Sequence, residues 1–180
     1  MRKRLLAQIR AHQKLGNAEL FEDIDVELKE RLDVVITELE SRISELLGRD
    51  RHLADTARIL RSVPGIGPVA SSTLIAELPE LGAITGEQAA ALTGLAPVAQ
   101  DSGTLRGRRA IAGGRRALRH VLFQAALVAS HHNPMLKVFA DRLRKAGKPH
   151  KVIVTAVARK LVIIANALCK RQQEWDPNYV

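Results

Sequence analysis

One hydroxyl stands beside a block of guanidinium groups in the middle of the chain. Ser102 is followed by Gly103, and Arg106, Arg108 and Arg109 come next along the sequence. Arginine keeps its charge near neutral pH and binds phosphate oxygens through paired hydrogen bonds. This cluster is therefore typical of an anion site. Two interpretations follow: Ser102 is a nucleophile that acts on a phosphate, or it shapes a turn in a solvated basic loop.

The positive charge of the chain is concentrated in its C-terminal part. The formal net charge is +9 for 180 residues, and residues 101–180 hold 16 of the 28 Lys and Arg but only four of the 19 Asp and Glu. Arg115, Arg116 and Arg119 add to the cluster around the serine. We therefore expect this part of the chain to face a polyanion, either a nucleic acid or an anionic membrane.

A membrane partner would require an apolar anchor, which the sequence does not offer. The first ten residues have a charged start but no uninterrupted apolar run, unlike a signal peptide or a spanning helix. The longest apolar stretch, residues 152–168, contains Arg159, Lys160 and Asn166, and we interpret it as a buried helix of a soluble protein. The charge pattern therefore favours a nucleic acid as the partner, and no membrane.

The composition indicates a helical protein of a reducing compartment. Hydrophobic residues make up 46% of the chain but aromatic residues only 3%, so Ala, Leu, Val and Ile must build the core, which favours helices. Because Cys169 is the single cysteine, neither an internal disulfide nor a cysteine-based metal site can form. We expect a cytoplasmic location, with Cys169 as a small buried apolar residue rather than a nucleophile.

A leucine recurs every seven residues from position 32 to position 60. Ile36, Ile43 and Ala57 occupy the second apolar position of the same repeat, which is coiled-coil spacing. Asp50 interrupts that position and Gly48 lowers helix propensity, so we expect the coil to break near Gly48. The pattern predicts a coiled coil that pairs two chains, although a long helix packed against its own domain would show the same spacing. The five leucines are Leu32, Leu39, Leu46, Leu53 and Leu60.

Capping and breaking residues divide the rest of the chain into helices. A basic amphipathic helix is predicted over residues 1–15, ended by Gly16, with Asp23 or Asp25 capping the long helix that follows. Thr85 is expected to cap a short helix that reaches residue 92. Further helices are predicted over residues 116–130, 135–146 and 150–173. No strand-like alternation is long enough to predict a strand. The fold class is therefore all-α, with a helical and coiled-coil segment over residues 1–61 and a helical domain over residues 62–180.

A glycine turn joins two of these helical runs. The sequence Pro-Gly-Ile-Gly-Pro over residues 64–68 resembles the helix-hairpin-helix motif of DNA-binding proteins. Gly65 and Gly67 would let the backbone turn tightly and approach a phosphate, while the N–H groups that open the second helix point at the anion. An ordinary corner between two helices is the alternative interpretation.

The order of these motifs resembles one transposase family. The glycine turn is followed by Leu-Thr-Gly-Leu-Ala-Pro over residues 92–97, the serine segment, Gly-Gly-Arg-Arg-Ala-Leu-Arg over residues 113–119, Asn-Pro at 133–134 and Gly-Lys-Pro-His-Lys-Val over residues 147–152. This arrangement is similar to the C-terminal domain of the insertion-sequence transposases of the IS116/IS110/IS902 type, which join a RuvC-like acidic domain to a serine domain and include the bridge-RNA-guided recombinases. The resemblance covers about residues 60–177.

The resemblance implies a function for the serine segment. Ser102 would attack a scissile DNA phosphate and hold it as a phosphoserine intermediate. The negative charge on that phosphate would be stabilised by Arg106, Arg108 and Arg109. DNA binding would also involve the arginines of the second cluster, Arg115, Arg116 and Arg119, and the turn glycines, Gly65 and Gly67.

The chain departs from the family pattern in its acidic residues. The RuvC-like domain, whose four carboxylates would bind Mg²⁺, has no counterpart in this sequence, so we expect no metal site or cofactor in the chain itself. We interpret the chain as a fragment that binds nucleic acid but does not recombine it alone. The expected partners are DNA, a structured guide RNA and a second copy of the chain through the coiled coil. Two alternatives stay open, a non-catalytic helix-hairpin-helix DNA-binding module and a coiled-coil adaptor.

Overall fold

A computed structural model describes residues 1–98, 101–102, 105–106 and 110–177, and for the four residues at 101–102 and 105–106 it describes the backbone only. Helices dominate these residues, and a turn of 3-10 helix lies at Ala18–Leu20. The helices are α1 Arg2–Leu15, α2 Glu22–Arg49, α3 Arg51–Ser62, α4 Pro68–Glu77, α5 Gly86–Leu92, α6 Arg116–His132, α7 Pro134–Lys145 and α8 His150–Arg171. The all-α fold class is confirmed.

The described chain forms two compact units that divide between Gly48 and Arg49. The first unit contains α1 and α2. Helix α1 ends at Gly16, as predicted, and the ring of His12 lies 2.7 Å from the Asp25 carboxylate and stacks on Phe21. Asp25 lies within the first turn of α2 rather than capping it, because its side chain is buried in this contact with α1.

The expected break in the heptad region lies at Asp50. Its carboxylate accepts a hydrogen bond from the Leu53 N–H at 3.0 Å, so Asp50 ends one helix and caps the next. Leu60, the last leucine of the repeat, is fully buried in the core of the second unit. Helix α3 therefore belongs to the second unit, where it packs against α4 and α8.

Helix α8 lies at the centre of the second unit. It packs against α3, α5, α6 and α7. By length and composition alone α8 would be long and apolar enough to cross a membrane, but half of that stretch is buried inside the protein, as in the core helix of a soluble domain. Burial raises the pKa of the Cys169 thiol on this helix to about 11, and Cys169 is buried as predicted.

Side-chain caps mark where α5 and α7 begin. Thr85 accepts a hydrogen bond from the Gln88 N–H, and the Gln88 side chain accepts one from the Thr85 N–H, which is a complete capping box. Asn133 caps α7 in the same way through the Leu136 N–H. The helices predicted over residues 116–130, 135–146 and 150–173 are present with ends that shift by one or two residues.

A short antiparallel ribbon between α5 and α6 is a feature of the described fold that the sequence did not predict. Its strands are β1 Pro97–Val98, β2 Asp101–Ser102, β3 Leu105–Arg106 and β4 Ala110–Ile111. Strand β1 pairs with β4, and β2 pairs with β3 within that outer pair. Strands of two residues are too short to show a period of two, which explains why alternation gave no signal.

Candidate nucleic-acid interface

The ribbon carries the backbone of Ser102. Ser102 pairs with Leu105 and Asp101 pairs with Arg106 in an antiparallel register. The sequence predicted a glycine-flanked loop here, whereas the backbone of Ser102 lies in a strand. The side chains of Ser102 and Arg106 lie outside the described residues, as do Arg108 and Arg109 entirely.

Two glycines hold the two ends of the ribbon together. Both Gly94, before β1, and Gly114, after β4, have a φ close to +66°. A Cβ on Gly114 would overlap the backbone of Gly94. The two backbone segments can therefore approach this closely only because both residues are glycine. The Arg115 N–H donates to the Leu92 carbonyl at 2.8 Å beside this crossing. The ribbon therefore leaves the helical unit from a fixed base.

Arg115 stabilises the base of the ribbon through contacts with residues that follow α4 or end it. Its guanidinium donates to both carboxylate oxygens of Glu80, at 2.7 and 2.8 Å, and to the Glu77 carbonyl at 2.6 Å. These hydrogen bonds are the main cause that lowers the pKa of Glu80 to about 2, from an ordinary value of 4.5. The same contact raises the pKa of Arg115. Arg115 was predicted to bind phosphate, and three of its hydrogen bonds are made within the protein.

The next two arginines of the cluster have a different environment. Arg116 opens α6 and is exposed, and Arg119 lies one turn later and is partly buried. One Arg119 nitrogen donates to the Gly113 carbonyl at 2.6 Å, which fixes the side chain beside the ribbon base. His120 lies one turn from Arg116 on the same helix face. Arg116 and Arg119 are therefore available where the ribbon meets α6.

A cavity of about 750 Å³ opens between the ribbon, α6 and α8. We call it the basic groove. Four arginine and lysine side chains line it together with a histidine and several apolar side chains, and no Asp or Glu is among the described lining residues. The described lining is Leu95, Pro97, Ala110, Ile111, Arg116, Arg119, His120, Phe123, Lys151, Val152, Thr155, Ala156 and Arg159.

Two of the groove cations were not predicted as site residues. Lys151 and Arg159 lie on α8, eight positions apart, and Thr155 stands between them on the same helix face. The spacing Lys-x₃-Thr-x₃-Arg is visible in the sequence as one polar stripe on an apolar helix. Its proximity to Arg116 is not visible, because the fold alone brings α8 beside the start of α6.

The glycine turn joins α3 to α4, and its two glycines have different surroundings. Gly65 has a φ of +108°, and a Cβ there would lie 2.5 Å from the Ala129 Cβ of α6, so this glycine packs the turn against the protein. Gly67 precedes α4 and is exposed, with no atom near the position of its Cβ. Arg61 donates to the Ser71 hydroxyl at 3.2 Å in the first turns of α4. Gly67 and Arg61 therefore lie at the exposed start of α4, whereas Gly65 faces inward.

Over the residues that the structure describes, no three His, Cys, Asp or Glu side chains are grouped so that they could hold a metal ion. A Mg²⁺ ion of the kind that the resemblance implies therefore has no ligand set among these residues, and we assign no chemical step to it.

The central part of the chain is similar to a known protein family. Residues 57–141 match the Transposase IS116/IS110/IS902 family. The match begins in α3 and ends in α7, so it includes the glycine turn, the ribbon and the α6 wall of the basic groove. The family named by the match is the one that the sequence motifs resemble.

Curated relatives extend the similarity over most of the chain. The pilin gene-inverting protein of Moraxella bovis is 29% identical over 145 residues, which are 78% of this chain and 45% of that protein. The uncharacterized 42 kDa protein of insertion element IS900 from Mycobacterium paratuberculosis is 31% identical over 150 residues, which are 81% of this chain and 36% of that protein. The chain therefore spans less than half the length of the curated relatives it matches.

Proposed function

We propose that this chain is the DNA-handling part of a transposase or site-specific recombinase of the IS116/IS110/IS902 type, with Ser102 as its nucleophile. The family match over residues 57–141 and the names of the relatives, one a gene-inverting protein and one an insertion-element protein, support a role in DNA rearrangement. The observation that carries the proposal is the position of the Ser102 backbone in a ribbon whose base adjoins the basic groove.

The proposed reaction is a transesterification. The Ser102 oxygen attacks the scissile phosphorus and forms a new O–P bond, while the bond from phosphorus to one sugar oxygen breaks. The serine proton passes to a base, and the departing sugar oxygen takes up a proton. A hydroxyl of another strand then attacks the phosphoserine, which restores the serine and joins the strands. No cofactor is consumed, because each step exchanges one phosphate ester for another.

Fixed positive charge would stabilise the phosphate during both steps. Arg106, Arg108 and Arg109 are proposed to contact the scissile phosphate, since they follow Ser102 in sequence. Arg116 and Arg119 would hold the flanking backbone, because they line the basic groove at the ribbon base. We leave Arg115 out of this set, since three of its hydrogen bonds go to Glu80 and Glu77.

The other partners follow from the family resemblance. We propose that a RuvC-like acidic domain supplies Mg²⁺ chemistry to the complete active site, that a structured guide RNA accompanies the DNA, and that α2 pairs two copies of the chain. The cytoplasm of a bacterium is the compartment that suits such a reaction.

One observation favours a second candidate function, a DNA-binding module without catalysis. Arg61 and Gly67 lie at the exposed start of α4, where backbone N–H groups and a nearby cation would hold a phosphate whether or not Ser102 reacts. The two functions differ only in whether the chain forms a covalent bond to DNA.

Ser102→Ala separates these functions. The chain is joined to a RuvC-like domain from a transposase of this type and incubated with labelled target DNA, and protein–DNA adducts are measured on a denaturing gel. We expect the wild type to form an adduct and exchange strands, and Ser102→Ala to bind DNA normally with both activities lost. Thr104→Ala is the control, because it removes a neighbouring hydroxyl and should leave the adduct unchanged. Strand exchange by Ser102→Ala would reject the catalytic role.

A further inference from the structure

We propose that the basic groove is a binding site for one unpaired nucleotide, which enters it base first. The inference rests on the proposed DNA function and deepens it, since it names the form of nucleic acid that the chain selects. The groove lies beside the ribbon that carries Ser102, so the unpaired nucleotide would belong to a strand near the proposed reacting phosphate.

The size and the walls of the groove suit a nucleobase rather than a phosphate alone. Its volume of about 750 Å³ lies within the range of small-molecule sites, roughly 300–1,000 Å³. Phe123 of α6, Val152 of α8 and Ile111 of β4 contribute apolar surface to it. A phosphate gains nothing from such walls, whereas an unstacked base can pack its face against them.

The charged lining suits the sugar-phosphate that must follow the base. Arg116 and Arg119 approach from α6, while Lys151 and Arg159 approach from α8, and no described lining residue is acidic. The Arg119 side chain is already held by the Gly113 carbonyl, so little side-chain freedom is lost when it meets a phosphate. Thr155 adds a hydroxyl within the groove that can donate to or accept from a base edge.

Duplex DNA alone would not explain this combination. The bases of a duplex are stacked and paired, so its backbone presents phosphates and sugars to a protein surface. Outward-facing cations are enough for that contact. An apolar cavity that opens between two groups of cations instead fits a nucleotide that has left the stack.

Filling the groove tests the inference without changing its charge. Ala156 lines the groove and is partly buried, so Ala156→Leu would occupy space meant for the base. Binding is measured by fluorescence anisotropy for a blunt duplex and for the same duplex with one unpaired thymidine. We expect the wild type to prefer the unpaired form by about tenfold, the value of one stacked base, and Ala156→Leu to lose that preference while it keeps its duplex affinity.

The matched control is Ala91→Leu, the same exchange at an exposed position of α5 outside the groove. It should retain the preference for the unpaired form. A wild type that binds both DNAs equally, or an Ala156→Leu variant that keeps the preference, would overturn the nucleotide site and leave the proposed DNA function intact. A wild type that binds neither DNA would overturn both proposals.

A second measurement uses the unaltered chain, so it stands even if Ala156→Leu does not fold. The unpaired position carries 5-iodouracil, and the crosslinked peptides are identified by mass spectrometry after irradiation. We expect crosslinks in the parts of α6 and α8 that line the groove. Phe123 and His120 of α6 are the described lining residues with aromatic rings. Crosslinks confined to other segments would overturn the site. Repeating the experiment with an unpaired ribonucleotide in an RNA duplex shows whether the bound strand is DNA or RNA.

Discussion

Two arginines that are adjacent in sequence have separate roles at the scale of single residues. Arg115 forms a bidentate ion pair with Glu80 and holds the base of the ribbon, whereas Arg116 opens α6 and lines the basic groove. The sequence could not separate them, because the partner of Arg115 lies 35 positions away. Charge in the sequence therefore indicates a cluster of arginines, but not which of them form ion pairs within the protein.

The Arg115–Glu80 pair predicts a pH dependence of stability. The pKa of Glu80 is lowered to about 2 in the folded protein, so the charged carboxylate favours folding above its ordinary pKa of 4.5. This contribution is lost as the pH falls from about 4.5 to about 2. We expect Glu80→Gln to have a lower Tm than the wild type at pH 7, and the difference to shrink across that acidic window.

The measurement is thermal unfolding by circular dichroism at a series of pH values. Glu87→Gln, an exposed carboxylate on α5 of the same unit, is the control and should show a Tm difference that changes little with pH. A Tm difference for Glu80→Gln that grows toward acidic pH would contradict the assignment.

The ribbon shows how an element with few residues of its own is held by its neighbours. Its described strands have two residues each, too few for independent stability, and the helical unit fixes both of its ends. The Gly94–Gly114 approach and the hydrogen bond from Arg115 to Leu92 provide that support. The position of the serine segment therefore depends on backbone contacts at the base of the ribbon.

Gly114→Ala tests that support, and Gly113→Ala is its matched control. Both glycines have a φ of +66°, but a Cβ at Gly113 meets nothing within 4 Å, whereas one at Gly114 overlaps Gly94. We expect Gly113→Ala to lower the free energy of unfolding by about 1–2 kcal/mol, the cost of a left-handed alanine. Gly114→Ala should cost clearly more, as measured by urea denaturation. Equal losses would show that the close approach is not required.

Capping chemistry explains how far the sequence predicted the elements. Thr85, Asp50 and Gly16 mark helix ends through local hydrogen bonds or local backbone angles, so the helices around them could be predicted. The ribbon could not, because its pairing depends on residues outside its strands. The basic groove was only half predicted, since Lys151 and Arg159 join the arginines through the packing of α8 on α6.

The two units of the chain differ in how much of their apolar surface is buried. The second unit buries its leucines in a common core, whereas α2 in the first unit leaves part of its heptad stripe exposed. Leu39, Ile43 and Leu46 are 52%, 42% and 60% exposed. An exposed stripe at coiled-coil spacing supports the proposed pairing of two chains through α2.

Ile43→Glu tests that pairing. Two such residues would lose their burial in a dimer, one from each chain, at about 1.5–3 kcal/mol each, so we expect the dissociation constant to rise by roughly a hundredfold or more. Val34→Glu is the control, because Val34 is also exposed on α2 but lies outside the heptad positions. Sedimentation equilibrium measures both variants. A chain that is monomeric before any substitution would reject the pairing.

The leucines keep their seven-residue spacing on both sides of the break at Asp50. Leucines of the same repeat are therefore subject to two different structural requirements. Leu60 must satisfy the interior of its own chain, and a polar replacement there would be seen as poor expression or early melting. Leu46 is 60% exposed, and in the proposed dimer it contacts only the second copy, so we expect the same replacement to give a well-folded protein that does not pair. Among relatives of this chain, the stripe after Asp50 should therefore change slowly, whereas under the proposed pairing the stripe before it can change together with the surface that it contacts.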